Sequence, residues 1–205
     1  MARIPLPPMG PAAEAVRQRL DAARTGVDGL VPTLLPHPEL AAALLDLDRH
    51  LDEGSVLPAA HREVVALQAA AGLRCGLLWA VHRRRAETAG IPASLVLAIE
   101  TAEAWTGPDE EAPGPGGRPE PDDQGGPGSL SAATAATLRA TVAVVLADGT
   151  LDDDLQARAL GVVGLAGLLE VVVRTGRHRT LAGLVFAIDE PLPPGADDPW
   201  GRLRP

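Results

Sequence analysis

The sequence predicts an all-α protein, and three observations carry that prediction. Hydrophobic residues make up 46% of the 205-residue chain, yet aromatics are only 2%, with one Phe and no Tyr. The interior must therefore be built from Leu, Val and Ala; Ala and Leu have high helix propensity, and Ala lets helices approach closely. Alternation with a period of two residues, the mark of a half-buried strand, is nowhere sustained. Proline followed by an apolar run of helical spacing recurs, and proline at the first helical position gives up no needed hydrogen bond. A chain of this length can bury a substantial core, in one large domain or two small ones.

Taken in order, the elements begin with a helix from about Pro11 to Arg24. Pro38 opens a segment through Leu40, Leu44, Leu45, Leu47 and Leu51 that stops at Gly54. Pro58 opens the next, through Val64, Val65 and Leu67, ending near Gly72. A further helix is predicted from about Cys75 to Thr88, stopping at Gly90, and Pro92 opens another that ends before Gly107. From Gly107 to Gly128 the composition turns to Pro, Gly, Asp and Glu. Six acidic residues (Asp109, Glu110, Glu111, Glu120, Asp122 and Asp123) stand there against Arg118 alone. Too little apolar surface is available to offset the entropy of ordering, so a disordered linker is expected; an acidic docking segment is the alternative. Helical spacing resumes at Ser131 to Leu146 and again at Leu151 to Gly176, where Asp152 to Asp154 suit the dipole of a first turn. A short helix near Thr180 to Ile188 follows, and the tail from Pro191 to Pro205 reads as extended. The result is a bundle of about six to eight helices. Residues 1–106 hold the N-terminal helices and the chemistry-bearing motif, 107–128 the linker, and 129–205 the C-terminal helical half of the same domain.

Composition also excludes several function classes. A formal net charge of −9 disfavours nucleic acid, whose binding depends on neutralising phosphates with Lys and Arg. The single cysteine rules out an intramolecular disulfide and any multi-cysteine metal site. His37, His50, His61 and His178 are scattered singly, His37 at the start of a helix, and none has metal-ligand spacing with a supporting carboxylate; no metal is expected. The run GVVGLAG is not a dinucleotide fingerprint, because no strand precedes it and no acidic residue follows at the needed distance. No cofactor is expected. The Pro-rich N-terminus has no apolar core of a secretory signal. The longest uncharged apolar run, Ala159 to Leu169, is shorter than the roughly 20 residues that span a bilayer. Its Gly161, Gly164 and Gly167 suit close helix packing. A cytoplasmic protein with no membrane partner is the expectation.

One group of residues has the types and spacing of a proton-transfer site. Glu63 shares a helix face with Leu67 and Ala70. A carboxylate on an apolar stripe is costly unless partnered, and desolvation raises its pKa toward general acid or base duty. On the next helix Cys75, Trp79, His82 and Ala86 form one stripe, and the short break at Gly72 to Arg74 lets Glu63 meet His82 across the helix interface. A Glu–His pair beside a thiol, screened by an indole, can move protons. The plain structural reading of the same residues is a core histidine bonded to Glu63, with Cys75 and Trp79 as packing. Arg83, Arg84 and Arg85 follow directly; two of the three must face outward, and one is a candidate carboxylate anchor, as is Arg62.

The segment from His37 to Ile99 resembles the core motif of the carboxymuconolactone decarboxylase and alkylhydroperoxidase-D family. The lead-in LLPHPELAAALLDLDRHLDEGSVLPAAHREVVAL is similar to that family's approach to its Arg-Glu dipeptide, here Arg62-Glu63. The run CGLLWAVHRRRAETAGIP resembles C-x-Y-E-W-x-x-H-x-x-x-A-x-x-x-G-[IL], with Cys75, Trp79, His82, Ala86, Gly90 and Ile91 in register. LADGTLDDDLQARALGVVGLAGLLEVVVRTG looks like the C-terminal helical half, with Glu170 at the acidic position. The resemblance implies an alkylhydroperoxidase-D-like helical bundle that forms homo-oligomers, whether dimers, trimers or hexamers, and takes a small-molecule substrate. It implies catalytic roles for Glu63, His82 and Cys75, and substrate contacts from Trp79, Leu78 and Arg62.

The departures from that pattern decide which chemistry it implies. Leu78 stands where the thiol-relay branch has its second cysteine, so a two-cysteine redox cycle within one chain is excluded. Leu77 and Leu78 replace the Tyr and Glu of the decarboxylase branch, which leaves a more apolar site. The reading that follows is a decarboxylase-like lyase or isomerase doing acid–base chemistry on a small organic acid. The alternatives are a non-catalytic binding or assembly protein, and a single-cysteine peroxide- or thiol-reactive protein. The last is weakened because an apolar neighbourhood raises a thiol pKa.

Overall fold

The computed structural model describes residues 10–23, 34–107 and 130–202. The acidic segment expected to be a linker lies almost entirely outside the described residues. Among those described, the chain folds into seven helices with no strand: α1 (Pro11–Ala23), α2 (Pro38–Glu53), α3 (Ala59–Leu73), α4 (Gly76–Thr88), α5 (Ala93–Glu100), α6 (Ala132–Leu146) and α7 (Asp153–Ile188). The all-α expectation and its helix number are both met.

Helix boundaries follow local chemistry. His37 caps α2, its Nδ1 accepting from the Leu40 N–H at 3.3 Å, with Pro38 in the first turn. Ser131 caps α6 by accepting from Thr134 N–H, and Asp152 caps α7 by accepting from Leu155 N–H. Between α3 and α4 the break falls at Arg74, which takes the left-handed conformation (φ 50°), within the expected Gly72 to Arg74 stretch. Gly72 is within the last turn of α3, where a Cβ would sit 2.6 Å from Leu146 Cδ1 on α6, so the absence of a side chain there allows the close approach.

The centre of the molecule is α3, which packs against α4, α5, α6 and α7. Its Val64, Val65, Leu67, Ala69 and Ala70 are fully buried, joined by Trp79, Leu95, Leu138, Val142, Leu181 and Val185 from the surrounding helices. A smaller cluster of Ala13, Val16, Leu34, Leu35, Ala41 and Leu45 joins α1 to α2. Burying Leu, Val and Ala in this way is what the composition required, at roughly 1.5–3 kcal/mol for each large side chain removed from water.

Two expectations for the C-terminal half are corrected. The helix thought to end at Gly176 and the short one near Thr180 to Ile188 are a single 36-residue element, because nothing after Gly176 interrupts the ladder. The interruption lies earlier, at Gly164, whose φ of 67° and ψ of 179° are non-helical. Of the three glycines expected to pack closely, only Gly167 does, a Cβ there lying 3.1 Å from Leu57 Cδ2; Gly161 and Gly164 face open space. Gly164 serves the kink instead. A side chain there would find room but not a permitted backbone, so Gly164→Ala is expected to cost about 1–3 kcal/mol, read as a lower urea midpoint. By length and hydropathy alone α7 is sufficient to cross a bilayer, although no uncharged run within it reaches the usual span. In this fold it packs on α3 and α6, and exposes Leu165, Leu169, Val172 and Val173 along one face.

The tail, read as extended, turns back onto the bundle. Trp200 meets Trp79 edge-on with ring centroids 5.4 Å apart, and Arg202 lies 4.1 Å over the Phe186 ring while donating to Leu73 O. Edge-to-face aromatic and cation–π contacts of this kind hold a segment that has no ladder of its own.

Candidate functional site

Glu63 sits on α3 one turn from its start, and His82 sits in the middle of α4. The tight connection through Arg74 and Cys75 lays the two helices side by side. It brings Glu63 Oε2 to 2.8 Å from His82 Nδ1. Both side chains are largely withdrawn from water, His82 more than Glu63 (6% against 12% exposed). The other nitrogen of the same ring, Nε2, lies 3.0 Å from Nε2 of His178 on α7. His178 Nδ1 in turn is 2.7 Å from the Arg174 carbonyl oxygen, one helical turn back. Three titratable groups from three helices therefore form one unbroken chain.

Burial raises the Glu63 carboxyl above its ordinary value, against the opposing pull of Arg85, Arg174 and Arg62. Burial also pushes both imidazoles well below theirs; the positive charges of Arg85, Arg177 and Arg174 add to this at His82, and His82 and Arg177 add to it at His178. Burial thus disfavours the charged form of all three groups. A consequence for stability follows from the sign of the imidazole shifts. The unfolded chain gains protons on these histidines below their ordinary value of 6.5 while the folded chain does not, so native stability is lost as pH falls below that value. The melting temperature is expected to drop between pH 7 and pH 5, with a smaller drop in a His178→Leu variant.

Glu63 opens onto a cleft of about 370 Å³ lined also by Ala59, Arg84, Arg85, Thr88 and Ala89. Arg84 is exposed at its mouth, and Arg85 leans toward Asp52, Nη1 lying 3.7 Å from Oδ2. Two arginines beside a carboxyl group whose burial favours its protonated form make a site suited to an organic anion.

The remaining residues singled out from the sequence lie elsewhere. Cys75 is fully buried just before α4, two helical turns (about 10 Å) from His82. Burial pushes its thiol up, helped by the negative charge of Asp198, against hydrogen bonds from the Leu78 and Leu77 amides. Leu78 is packed in the core. Trp79 packs on Trp200 and lines a second, smaller hollow of about 180 Å³ with Arg83, Glu87 and Asp197, so its indole does not wall the Glu63 cleft. Arg62 donates to the Asp52 carbonyl at 2.6 Å. Glu170 ties α7 to the loop before α3: it accepts from Ser55 Oγ at 2.5 Å, from the Val56 amide at 3.0 Å and from Arg174 at 2.8 Å. Burial alone would raise its carboxyl, but these donors hold it below the ordinary value.

His178 was the residue that sequence reasoning passed over. The signal was present, because Val171, Thr175, His178, Leu181, Ala182 and Val185 recur at helical spacing and all are buried. A histidine in the middle of such a stripe needs polar partners. Among the described residues no group of three His, Cys, Asp or Glu is arranged to hold a metal ion. Comparison with family models, with curated proteins and with solved structures returns no match.

Proposed function

We propose that this protein is an acid–base enzyme, a decarboxylase, isomerase or related lyase, acting on a small organic acid. The observation that carries the reading is the 2.8 Å contact between Glu63 and His82 at the edge of a cleft that Arg84 and Arg85 also line. The cleft volume suits a small metabolite, and guanidinium groups bind a carboxylate by charge-assisted hydrogen bonds. Glu63, whose burial favours the protonated form, protonates the carbanion or enolate that forms as the substrate loses carbon dioxide or shifts a proton; in the reverse sense its carboxylate accepts one. His82 orients that carboxyl group and shares its proton. The likeness of the Arg62-Glu63 and Cys75-to-Ile91 motifs to the decarboxylase family supports the same chemistry. The thiol-based alternative is disfavoured by the burial of Cys75 and the upward push on its pKa.

The test is incubation of the full chain in heavy water with a panel of small carboxylic acids, following deuterium uptake and release of carbon dioxide. At least one acid is expected to exchange or decarboxylate, and Glu63→Gln and His82→Ala are expected to lose that activity. Variants that leave turnover unchanged overturn the assignment. Acids that bind in the cleft without reacting put a binding protein in its place.

A further inference from the structure

The geometry points to His178 as a positioning residue that fixes which nitrogen of His82 carries its proton, so that Glu63, His82 and His178 together hold one shared, movable proton. The inference deepens the acid–base reading and rests on it for its functional meaning, although the proton arrangement itself stands on hydrogen-bond geometry and on the burial of both imidazoles.

The argument begins at the buried end. A carbonyl oxygen only accepts, so the 2.7 Å contact with Arg174 O requires a proton on His178 Nδ1. In neutral His178 the other nitrogen, Nε2, is then a bare acceptor. It faces His82 Nε2 at 3.0 Å, and two bare nitrogens at that distance repel, so His82 must place its proton on Nε2. That leaves His82 Nδ1 bare and facing Glu63 Oε2 at 2.8 Å, a contact that needs a proton on the carboxyl group. Every contact is satisfied when Glu63 is a neutral acid donating to His82, which donates to His178, which donates to the Arg174 carbonyl.

The same proton count permits two other arrangements without moving a heavy atom. The Glu63 proton can pass to His82 Nδ1, giving a carboxylate and an imidazolium; the His82 Nε2 proton can then pass to His178 Nε2. In each case one O–H or N–H bond breaks as one N–H bond forms, and the three groups keep the same total charge. Removing the proton altogether leaves one contact with two lone pairs opposed, at Glu63–His82 or at His82–His178 according to the tautomer. The chain therefore reclaims a proton after giving one up. Glu63 is the member that lines the cleft, so the proton leaves and returns there. When it is delivered to a substrate carbanion the relay is left as an anion. It is restored by a proton from water, which leaves hydroxide, or from the substrate in a following step.

The charges facing the relay come from every helix around it: Asp48 and Asp52 on α2, Arg62 on α3, Arg85 on α4, and Arg174 and Arg177 on α7. Arg177 is paired to Asp48, Arg174 to Glu170 and Asp52, and Arg85 to Asp52. These pairs engage the guanidinium groups with carboxylates, and the one arginine atom bonded to an imidazole is the Arg174 backbone carbonyl.

The experiment is nitrogen NMR of the histidine rings together with infrared spectroscopy of the carboxyl groups, on the full chain without substrate. Near neutral pH, His178 is expected to carry its proton on Nδ1, His82 on Nε2, and Glu63 to show the carbonyl stretch of an unionised acid, lost in Glu63→Gln. In His178→Leu, His82 is expected to reverse its tautomer and donate to a Glu63 carboxylate, lowering the Glu63 titration midpoint by about one unit or more. A wild-type His82 with its proton on Nδ1 overturns the proposal, whether or not the variant folds. So does a folded His178→Leu protein with an unchanged Glu63 midpoint. Because no substrate is present, failure here is separate from failure of the turnover test.

Discussion

Replacing Asp48 with Ala is expected to lower folding stability by about 3–5 kcal/mol, measured as a fall in the urea midpoint at unchanged slope. Asp48 lies on α2 with its side chain 2% exposed, and both of its carboxylate oxygens accept from the Arg177 guanidinium, Oδ2 at 2.6 Å. A fork-on-carboxylate pair of this kind is a strong one, and it joins segments 129 residues apart in sequence. Truncation leaves Arg177, itself only 9% exposed, as a buried charge with no counter-ion. The large effect comes from that orphaned charge rather than from the pair's net value. The double change Asp48→Leu with Arg177→Leu is therefore expected to restore most of the loss, since apolar groups of similar volume often replace a buried pair at little cost. If the double variant is as unstable as the single, the pair is stabilising in its own right.

The same stretch of α7 supplies His178 to the relay, so the pair also sets where that imidazole stands. Arg174 donates to the Leu51 carbonyl and to Glu170, and Arg177 to Asp48, which docks this turn of α7 against the end of α2. A long helix kinked at Gly164 needs such ties if a side chain well past the kink is to be held within hydrogen-bond distance of another helix.

The helical composition, the proline-led starts and the Glu63–His82 juxtaposition were legible in the sequence because each depends on local spacing. Pro38, Pro58 and Pro92 mark helix entries by removing a donor that has no partner there, and residues 63 and 82 are forced near each other by one tight connection. What escaped depended on contacts between distant segments. His178 looked isolated because its partner is 96 residues away. Trp200 looked like part of an extended tail because nothing local shows that Trp79 offers it a surface. Cys75 and His82 looked like neighbours because they share a helix stripe, yet a stripe two turns long separates its ends by about 10 Å. Gly164 was read as a packing glycine, since a sequence does not distinguish a small residue needed for space from one needed for its backbone.

Glu63→Gln is expected to lower turnover of the organic-acid substrate by about 10²–10⁴, with little change in folding stability. The amide keeps the shape of the carboxyl group, and its NH₂ can still donate to His82 Nδ1 across the 2.8 Å contact. The packing thus survives while the transferable proton is gone. Wild-type activity that needs the neutral acid is present at low pH and falls as pH rises through the Glu63 midpoint, which burial has moved above the ordinary carboxylate value. The variant is expected to show a small residual rate without that falling limb, because an amide does not titrate. Cys75→Ser separates this mechanism from thiol chemistry: a fully buried thiol two turns from His82 takes no part in the proton path, so the serine variant is expected to keep its rate within a few-fold. The comparison is decisive because the two variants exchange roles under the competing mechanism. A rate lost with Cys75→Ser and kept with Glu63→Gln places the chemistry at the sulfur and removes the relay from it.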